Sequence, residues 1–482
     1  MKKMVFAFIL ICSMMGLLGC KSPLYEESSS NDASIEVIPP KTSYLMGEDL
    51  GTEFQVFNIL EDGTKELTTR YIITGDTFTS GKREITIALN DDESKTATFD
   101  ITVSDLLVDT GLPVIYIDTK GREIADKENY VNMNFRLTNT DNSEYDFEIT
   151  DYSARIRGRG NQTWTLPKKP YRLNFAQAMS FFGLTANKNW VLLANYRDPT
   201  LIANTVAFKL GELFKFPWTN HTFHVEVVLN GEYQGSYVLT EHTRVGAGRV
   251  DIDPNGSFLV EIDAYYDEEP KFMTPRLQLP VMILYPEGSA DANDPMFDFV
   301  RDAINQMDAL LSAPSFPNNG WKDVVDVNSA VDYLMINEIA QNTQIGYPRS
   351  VYMYMEAGGK LKMGHLWDFD GGFGLWDNQG KDYSYIHIGG ETGRFTGGQH
   401  WGRFYKDVVF TERYKARWNE KYSDILTIPA FIDTMYNQLK KSAELDNQRW
   451  PGRAIFYNEI TKLKTWYSGR ISYLDGEINK EP

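Results

Sequence analysis

The stretch Arg155-Ile156-Arg157-Gly158-Arg159-Gly160-Asn161-Gln162-Thr163-Trp164, followed after two residues by Pro167-Lys168-Lys169-Pro170-Tyr171-Arg172, places six basic side chains close together. Alternation puts Arg155, Arg157 and Arg159 on one face of a strand. Like charges in a row repel unless something anionic sits among them. Glycines at 158 and 160 would let a backbone approach closely and offer N–H groups to phosphate oxygens. The competing reading is a solvated basic face paired with carboxylates elsewhere. The surroundings make the cluster conspicuous: the 482-residue chain carries 66 Asp and Glu against 48 Lys and Arg, a formal charge of −18. Such a surface repels phosphate backbones and argues against a nucleic-acid binder. At 42% hydrophobic and 24% charged, the composition is that of a folded protein and excludes a collagen-like or largely disordered one.

Two further stretches concentrate residues that apolar packing does not need. In Leu366-Trp367-Asp368-Phe369-Asp370-Gly371-Gly372-Phe373-Gly374, two carboxylates precede a glycine turn. They can converge on one hard cation if the strand bends there, whereas regular strand geometry sends them to opposite faces. Asn337-Glu338-Ile339-Ala340-Gln341-Asn342-Thr343-Gln344 ends a helical pattern, so its amides and carboxylate either line a polar site or cap the helix. Among six histidines, His221 and His224 form the only H-x-x-H pair, without the helical context or cysteine partners of a zinc site. His387 and His400 sit in the Gly-rich stretch 385–402, read as a surface loop; the two side chains either flank the site or are ordinary surface or hydrogen-bonded histidines.

The N-terminus reads as an address. Lys2 and Lys3 precede an apolar run to Leu18, and Leu17-Leu18-Gly19-Cys20 resembles the lipobox of bacterial lipoproteins. That resemblance implies a signal peptide over 1–19, lipidation of Cys20, and a membrane anchor. Lys21 is not the aspartate that retains many such proteins at the inner membrane, so an outer-membrane lipoprotein facing the periplasm or the cell surface is expected. Both cysteines of the chain lie in this segment, which leaves no disulfide framework. Residues 20–33 are a polar, Ser-rich tether. From 34 to 105, short alternating runs such as Glu84-Ile85-Thr86-Ile87-Ala88-Leu89, separated by turns such as Asn90-Asp91-Asp92, predict an all-β sandwich. It resembles bacterial immunoglobulin-like spacers.

The remainder, 112–478, reads as one large α+β domain: strands first, with an Asn230-Gly231 hairpin, then helices over Pro295–Leu311, Asn328–Gln341, Ala430–Leu445 and Ile460–Ile478. Taken in order, its motifs carry a family resemblance. They are Leu112-Pro113-Val114-Ile115-Tyr116-Ile117, Arg157 to Trp164, Lys168 to Leu173, Trp190 to Asp198, Leu229 to Glu241, Asn337-Glu338, Trp367 to Asp370, Arg413 and Trp418. This series resembles the CotH family, named for spore-coat protein H.

The resemblance implies a divergent protein-kinase-like fold that binds ATP with Mg²⁺ and phosphorylates Ser or Thr of a partner protein. Residue by residue it implies Arg157, Arg159, Lys168, Lys169 and Arg172 on the phosphates, with Glu241 orienting a lysine and Asp368 and Asp370 holding the metal. The position where active relatives carry a catalytic aspartate is Gln344 in this chain, and no Asp occurs between Asp332 and Asp368. An amide cannot accept the hydroxyl proton, although it can hydrogen-bond the acceptor. A pseudokinase is therefore one outcome; Asp198 and Asp263 are the first places to look for a substitute base. Two alternatives stand beside the kinase reading: a non-catalytic surface protein for adhesion or assembly, and a glycan-processing enzyme using two carboxylates in an aromatic-lined groove.

Overall fold

The computed structural model describes residues 35–45, 50–75, 77, 81–104, 110–138, 149–287, 294–346, 348–375, 382–389, 400–452 and 454–480. The expected signal peptide, Cys20 and the tether lie outside the described residues, as does most of the loop between His387 and His400. Contacts divide the chain into two compact units. One holds the residues up to Pro40 with Thr52–Gly75 and Glu84–Asp100; the other holds Lys41–Gly51, Asp76–Arg83 and everything from Ile101 onward.

The N-terminal β region is built as its alternation predicts. Strands β1 (Ile35–Ile38), β3 (Gln55–Ile59) and β4 (Lys65–Thr68) form one antiparallel sheet. Strands β2 (Ser43–Leu45), β5 (Tyr71–Thr74), β6 (Gly81–Leu89) and β7 (Thr96–Ser104) form another, in the order β2-β7-β6-β5. Phe54 packs on Phe99 with ring centroids 5.8 Å apart.

In the larger unit, seven strands close into a barrel: β8 (Val114–Asp118), β9 (Val131–Thr138), β10 (Ile149–Gly158), β11 (Tyr171–Met179), β12 (Asn187–Leu193), β13 (Phe223–Leu229) and β14 (Glu232–Glu241). The order around it is β10-β11-β12-β14-β13-β8-β9, antiparallel except where β13 meets β8. Asn230 and Gly231, both at positive φ (50° and 78°), make the tight turn joining β13 to β14. Alternation sets the two faces. Ile156, Leu173, Phe175, Trp190 and Leu192 point inward and are buried, so Arg157, Arg172 and Val191 between them face outward.

A second sheet follows. It comprises β15 (Phe258–Ile262), β16 (Lys271–Met273), β17 (Pro280–Tyr285), β18 (Val351–Met355) and β19 (Lys362–Met363), antiparallel throughout and ordered β16-β17-β15-β18-β19. Phe258, Val260 and Ile262 face a helical core. The helices are α1 (Ala203–Phe214), α2 (Pro295–Ser312), α3 (Trp321–Val324), α4 (Val327–Ala340), α5 (Val408–Ile425), α6 (Ile428–Arg449) and α7 (Phe456–Ile478). The sequence patterns anticipate α2, α4, α6 and α7 but not α1 or α5.

Helix α4 matters most for the site. Asp326 caps its N-terminus by accepting from the Ser329 N–H (2.7 Å), and Gln341 ends it in the left-handed conformation (φ 46°). Every residue from Tyr333 to Ala340 is buried, so its C-terminal end is held rigidly.

Candidate functional site

A cleft of about 590 Å³ opens beside the outer face of β10–β12, with β15, β17 and β18 on another side and the 367–370 turn at its end. Register builds the cationic wall. Arg157 pairs with Arg172, and Arg172 pairs with Val191, so two guanidinium groups stand side by side on adjacent strands. Each has a buried Nε–H with no hydrogen-bond partner among the described residues, and Arg349 of the same cleft has another. A buried donor left unmatched costs about 1–3 kcal/mol. Three of them line one cleft. Arg159 also lines the cleft, its guanidinium 5.4 Å from the centre of the Trp367 ring. Burial and the charge of Arg157 lower its pKa from the usual value, while Tyr352, Asp368 and Glu261 oppose that shift.

Opposite charge arrives on other elements. Asp368 takes φ +62°, a conformation non-glycine residues seldom adopt, and the chain bends there instead of continuing as a strand. The bend turns the two carboxylates toward each other, and Asp368 and Asp370 share a hydrogen bond. Both pKa values are raised, Asp370 well above the usual carboxylate range, first by burial and then by the Asp368 charge.

The bend is held from behind by α4. Asn342 caps the 3₁₀ turn Thr343–Ile345 through the Gln344 N–H, and its Nδ2 donates to the Asp368 carbonyl (3.3 Å). Phe373 N–H donates to the Ala340 carbonyl and Thr343 Oγ1 to the Gly371 carbonyl. A Cβ at Gly371 would lie 2.8 Å from that Oγ1, so only glycine lets the turn dock. One scaffold therefore positions Gln344 and the acidic couplet together, and all three line the cleft.

Not every residue singled out in the sequence is free to serve the cleft. Lys168 lines it, but its ammonium is fully buried, ion-paired to Asp446 of α6 at 2.6 Å and bonded to the Ser236 carbonyl. Lys169 is not in the lining; its Nζ donates to the Trp164 carbonyl at 2.8 Å. Glu241 is also outside it, and it orients no lysine: its carboxylate accepts from His221 Nδ1 (2.6 Å) and the His221 N–H. Gly158 serves packing and not a phosphate, because a Cβ there would meet the Trp164 ring at 2.6 Å.

Asn337 and Glu338 are structural. Asn337 binds Tyr333 and Asn342, while Glu338 forms a buried ion pair with Arg470 (2.6 Å) and accepts from the N–H groups of His387 and Ile388. His387 is buried against Asn342 and not on the surface. His224 turns away from His221 to Thr205. Of the two suggested substitutes for the missing base, Asp198 is spent on Thr200 and the Ala203 N–H, whereas Asp263 reaches the cleft.

Sequence reasoning missed Glu261. It lies mid-strand on β15, opposite Met282 and Tyr352, and points into the cleft because Val260 and Ile262 point into the core. Tyr352 Oη donates to its Oε1 at 2.8 Å. The signal was present in Phe258-Leu259-Val260-Glu261-Ile262: a carboxylate in an otherwise apolar strand.

Among the described residues, no group of three or more His, Cys, Asp and Glu side chains is placed to hold a metal ion, and no helix is long and apolar enough to cross a membrane. No curated protein matches the chain. A family model described as CotH kinase protein does match, over residues 155–474, a span that begins in the arginine strand, contains the acidic turn and all of the cleft lining except Lys127 and Glu128, and ends in α7. With two thirds of its length in that match, this protein belongs to the CotH family.

Proposed function

We propose that the cleft binds a nucleoside triphosphate with Mg²⁺, ATP being the natural ligand, and transfers the terminal phosphoryl group to a Ser or Thr hydroxyl of a partner protein. The observation that carries this reading is the juxtaposition, in one cleft, of guanidinium donors unmatched among the described residues with a carboxylate couplet brought together by a sharp bend. Each half lacks what a metal–phosphate ligand brings. Asp368 and Asp370 suit a hard cation: two oxygen donors at a bend, whose mutual repulsion a divalent charge would relieve. Mg²⁺ held there by Asp368 and Asp370 would supply neutralisation of phosphate charge.

The chain's own residues do the rest. Arg157, Arg172 and Arg349 donate to phosphate oxygens, and Arg159, pinned over Trp367, adds charge at the carboxylate end. Val191 and Leu193, packed with Trp367, offer an apolar wall for a base. Gln344 hydrogen-bonds the acceptor hydroxyl without taking its proton. The same proposal extends to the whole chain: a kinase-like fold in the large unit, an immunoglobulin-like spacer before it, and a lipid anchor at Cys20 holding the protein to the outer membrane.

Titration calorimetry of the purified protein with ATP and Mg²⁺ tests the reading. Binding that disappears in Asp370→Asn and weakens about tenfold in Arg172→Met, as loss of a charge-assisted hydrogen bond would produce, is expected. Absence of binding in the wild-type protein ends the proposal and leaves a non-catalytic surface protein.

A further inference from the structure

Phosphoryl transfer to a hydroxyl needs somewhere for the hydroxyl proton to go, and Gln344 cannot take it. Four carboxylates stand deepest in the cleft: Asp368, Asp370, Asp263 and Glu261. The first two share a hydrogen bond and are the cation donors of the reading above. Both oxygens of Asp263 are committed, Oδ1 to the Tyr265 N–H (2.8 Å) and Oδ2 to the Ser350 N–H (2.9 Å). Glu261 differs: Oε1 accepts from Tyr352, which fixes the carboxyl plane, while Oε2 accepts no hydrogen bond within the described chain. The residue is part-exposed and lines the cleft, where a substrate can reach it. It also stands near the reacting centre, since its charge bears on both Asp368 and Arg159.

We propose that Glu261 is the catalytic base of this chain, receiving through Oε2 the proton of the attacking hydroxyl in place of the aspartate that Gln344 replaces. The inference rests on the phosphotransfer reading. In the step, the hydroxyl oxygen forms a bond to the terminal phosphorus and its proton passes to Glu261. The bond from that phosphorus to the bridging oxygen breaks, and the departing diphosphate keeps the electron pair. Glu261 then releases the proton to solvent.

The surroundings suit the task. Burial, then the charges of Asp263, Glu268 and Asp267, push its carboxyl up to about 8, against the opposing hydrogen bond of Tyr352. Arg159 and Asp368 face it across the cleft, and Tyr333 senses its charge from α4. A base poised near the working pH is the most effective kind.

The experiment compares wild type, Glu261→Gln and Glu261→Asp in the full chain. Calorimetry with ATP and Mg²⁺ gives affinity; labelled ATP gives transfer to casein, to the chain itself and to water. Glu261→Gln should keep its affinity within about threefold yet lose on the order of 10²–10⁴ in kcat. Glu261→Asp should recover part of that. The wild-type rate should climb with pH toward 8 as the carboxyl ionises, and the Gln variant should lack that limb. A Gln variant within about fivefold of wild type, or with the limb intact, overturns the assignment, as does a wild-type protein that binds ATP without transferring phosphate. Wild type that fails to bind ATP overturns the phosphotransfer reading itself, a result distinguishable from the others.

Discussion

Two sets of buried charge in the large unit use the same residue types to opposite ends. Glu338 with Arg470, and Lys168 with Asp446, are closed: Arg470 donates to the Glu338 carboxylate and to the carbonyls of Glu338, Tyr383 and Tyr385, and Asp446 accepts from both Lys168 and the Ser236 N–H. The cleft set is open. Arg157, Arg172 and Arg349 each keep an Nε–H without a partner among the described residues, and Asp368 and Asp370 bond each other, while the charges of Arg159 and Arg197 bear on them. A closed set holds elements together, here α4 to α7 and the barrel to α6. On the function proposed above, the open set meets a ligand from outside the chain. Burial alone does not distinguish them; the ledger of partners does.

The comparison breaks first at Arg470. Removing it as Arg470→Met strands the Glu338 charge and should cost about 3–5 kcal/mol, as loss of one partner from a buried pair does, whereas Arg172→Met in the open set should cost less than about 1 kcal/mol. Thermal denaturation of the two variants checks the contrast, and equal losses would erase it.

Lys168 sharpens it, because this residue lies in the cleft lining yet belongs to the closed set. Lys168→Met should destabilise by roughly 3 kcal/mol, and adding Asp446→Leu should restore most of that, since replacing both partners removes the stranded charge. If Lys168 also contacts phosphate, the double variant will recover its melting temperature and not its ATP affinity.

Asp370→Asn should raise the melting temperature, on the order of 2 °C, in the open set alone. The sign follows from linkage. The folded pKa is raised, so the native protein keeps a proton that the unfolded chain releases above about 4. The stability tied to that proton is whole below the unfolded value and is lost as pH rises toward the folded one. The Asn variant should thus gain over wild type at pH 8 and match it near pH 4 in a pH series of melts. Added Mg²⁺ at pH 8 should narrow the gap by stabilising wild type.

The smallest effect is expected at Lys169. Lys169→Ala loses one hydrogen bond to the Trp164 carbonyl and a contact with that ring, worth about 1 kcal/mol or less. ATP titration should not distinguish it from wild type; a tenfold loss of affinity would return Lys169 to the site.

Much of this is legible in the sequence. The Asn-Gly hairpin, the alternation of β10 to β12 and the 3.6-residue pattern of α2, α4, α6 and α7 are local signals, set by neighbours a few positions away. The ordered motifs named the family, and the arginine strand and the acidic turn were visible as residues that packing does not require. Glu261 escaped because a single carboxylate inside an apolar strand has the same appearance whether it meets solvent, a partner or a cleft.

What the sequence determined by itself was which side chains sit on which face of which element. Only the tertiary structure decided which of them are spent. Lys168 and Lys169 adjoin in the chain, yet one meets Asp446, 278 positions away, and the other the nearby Trp164 carbonyl. Asp368 and Asp370 meet because a left-handed residue bends a segment that spacing alone would run straight. Partnership of charges depends on distances of a few ångströms between segments far apart in sequence, and those distances exist only once the chain has folded.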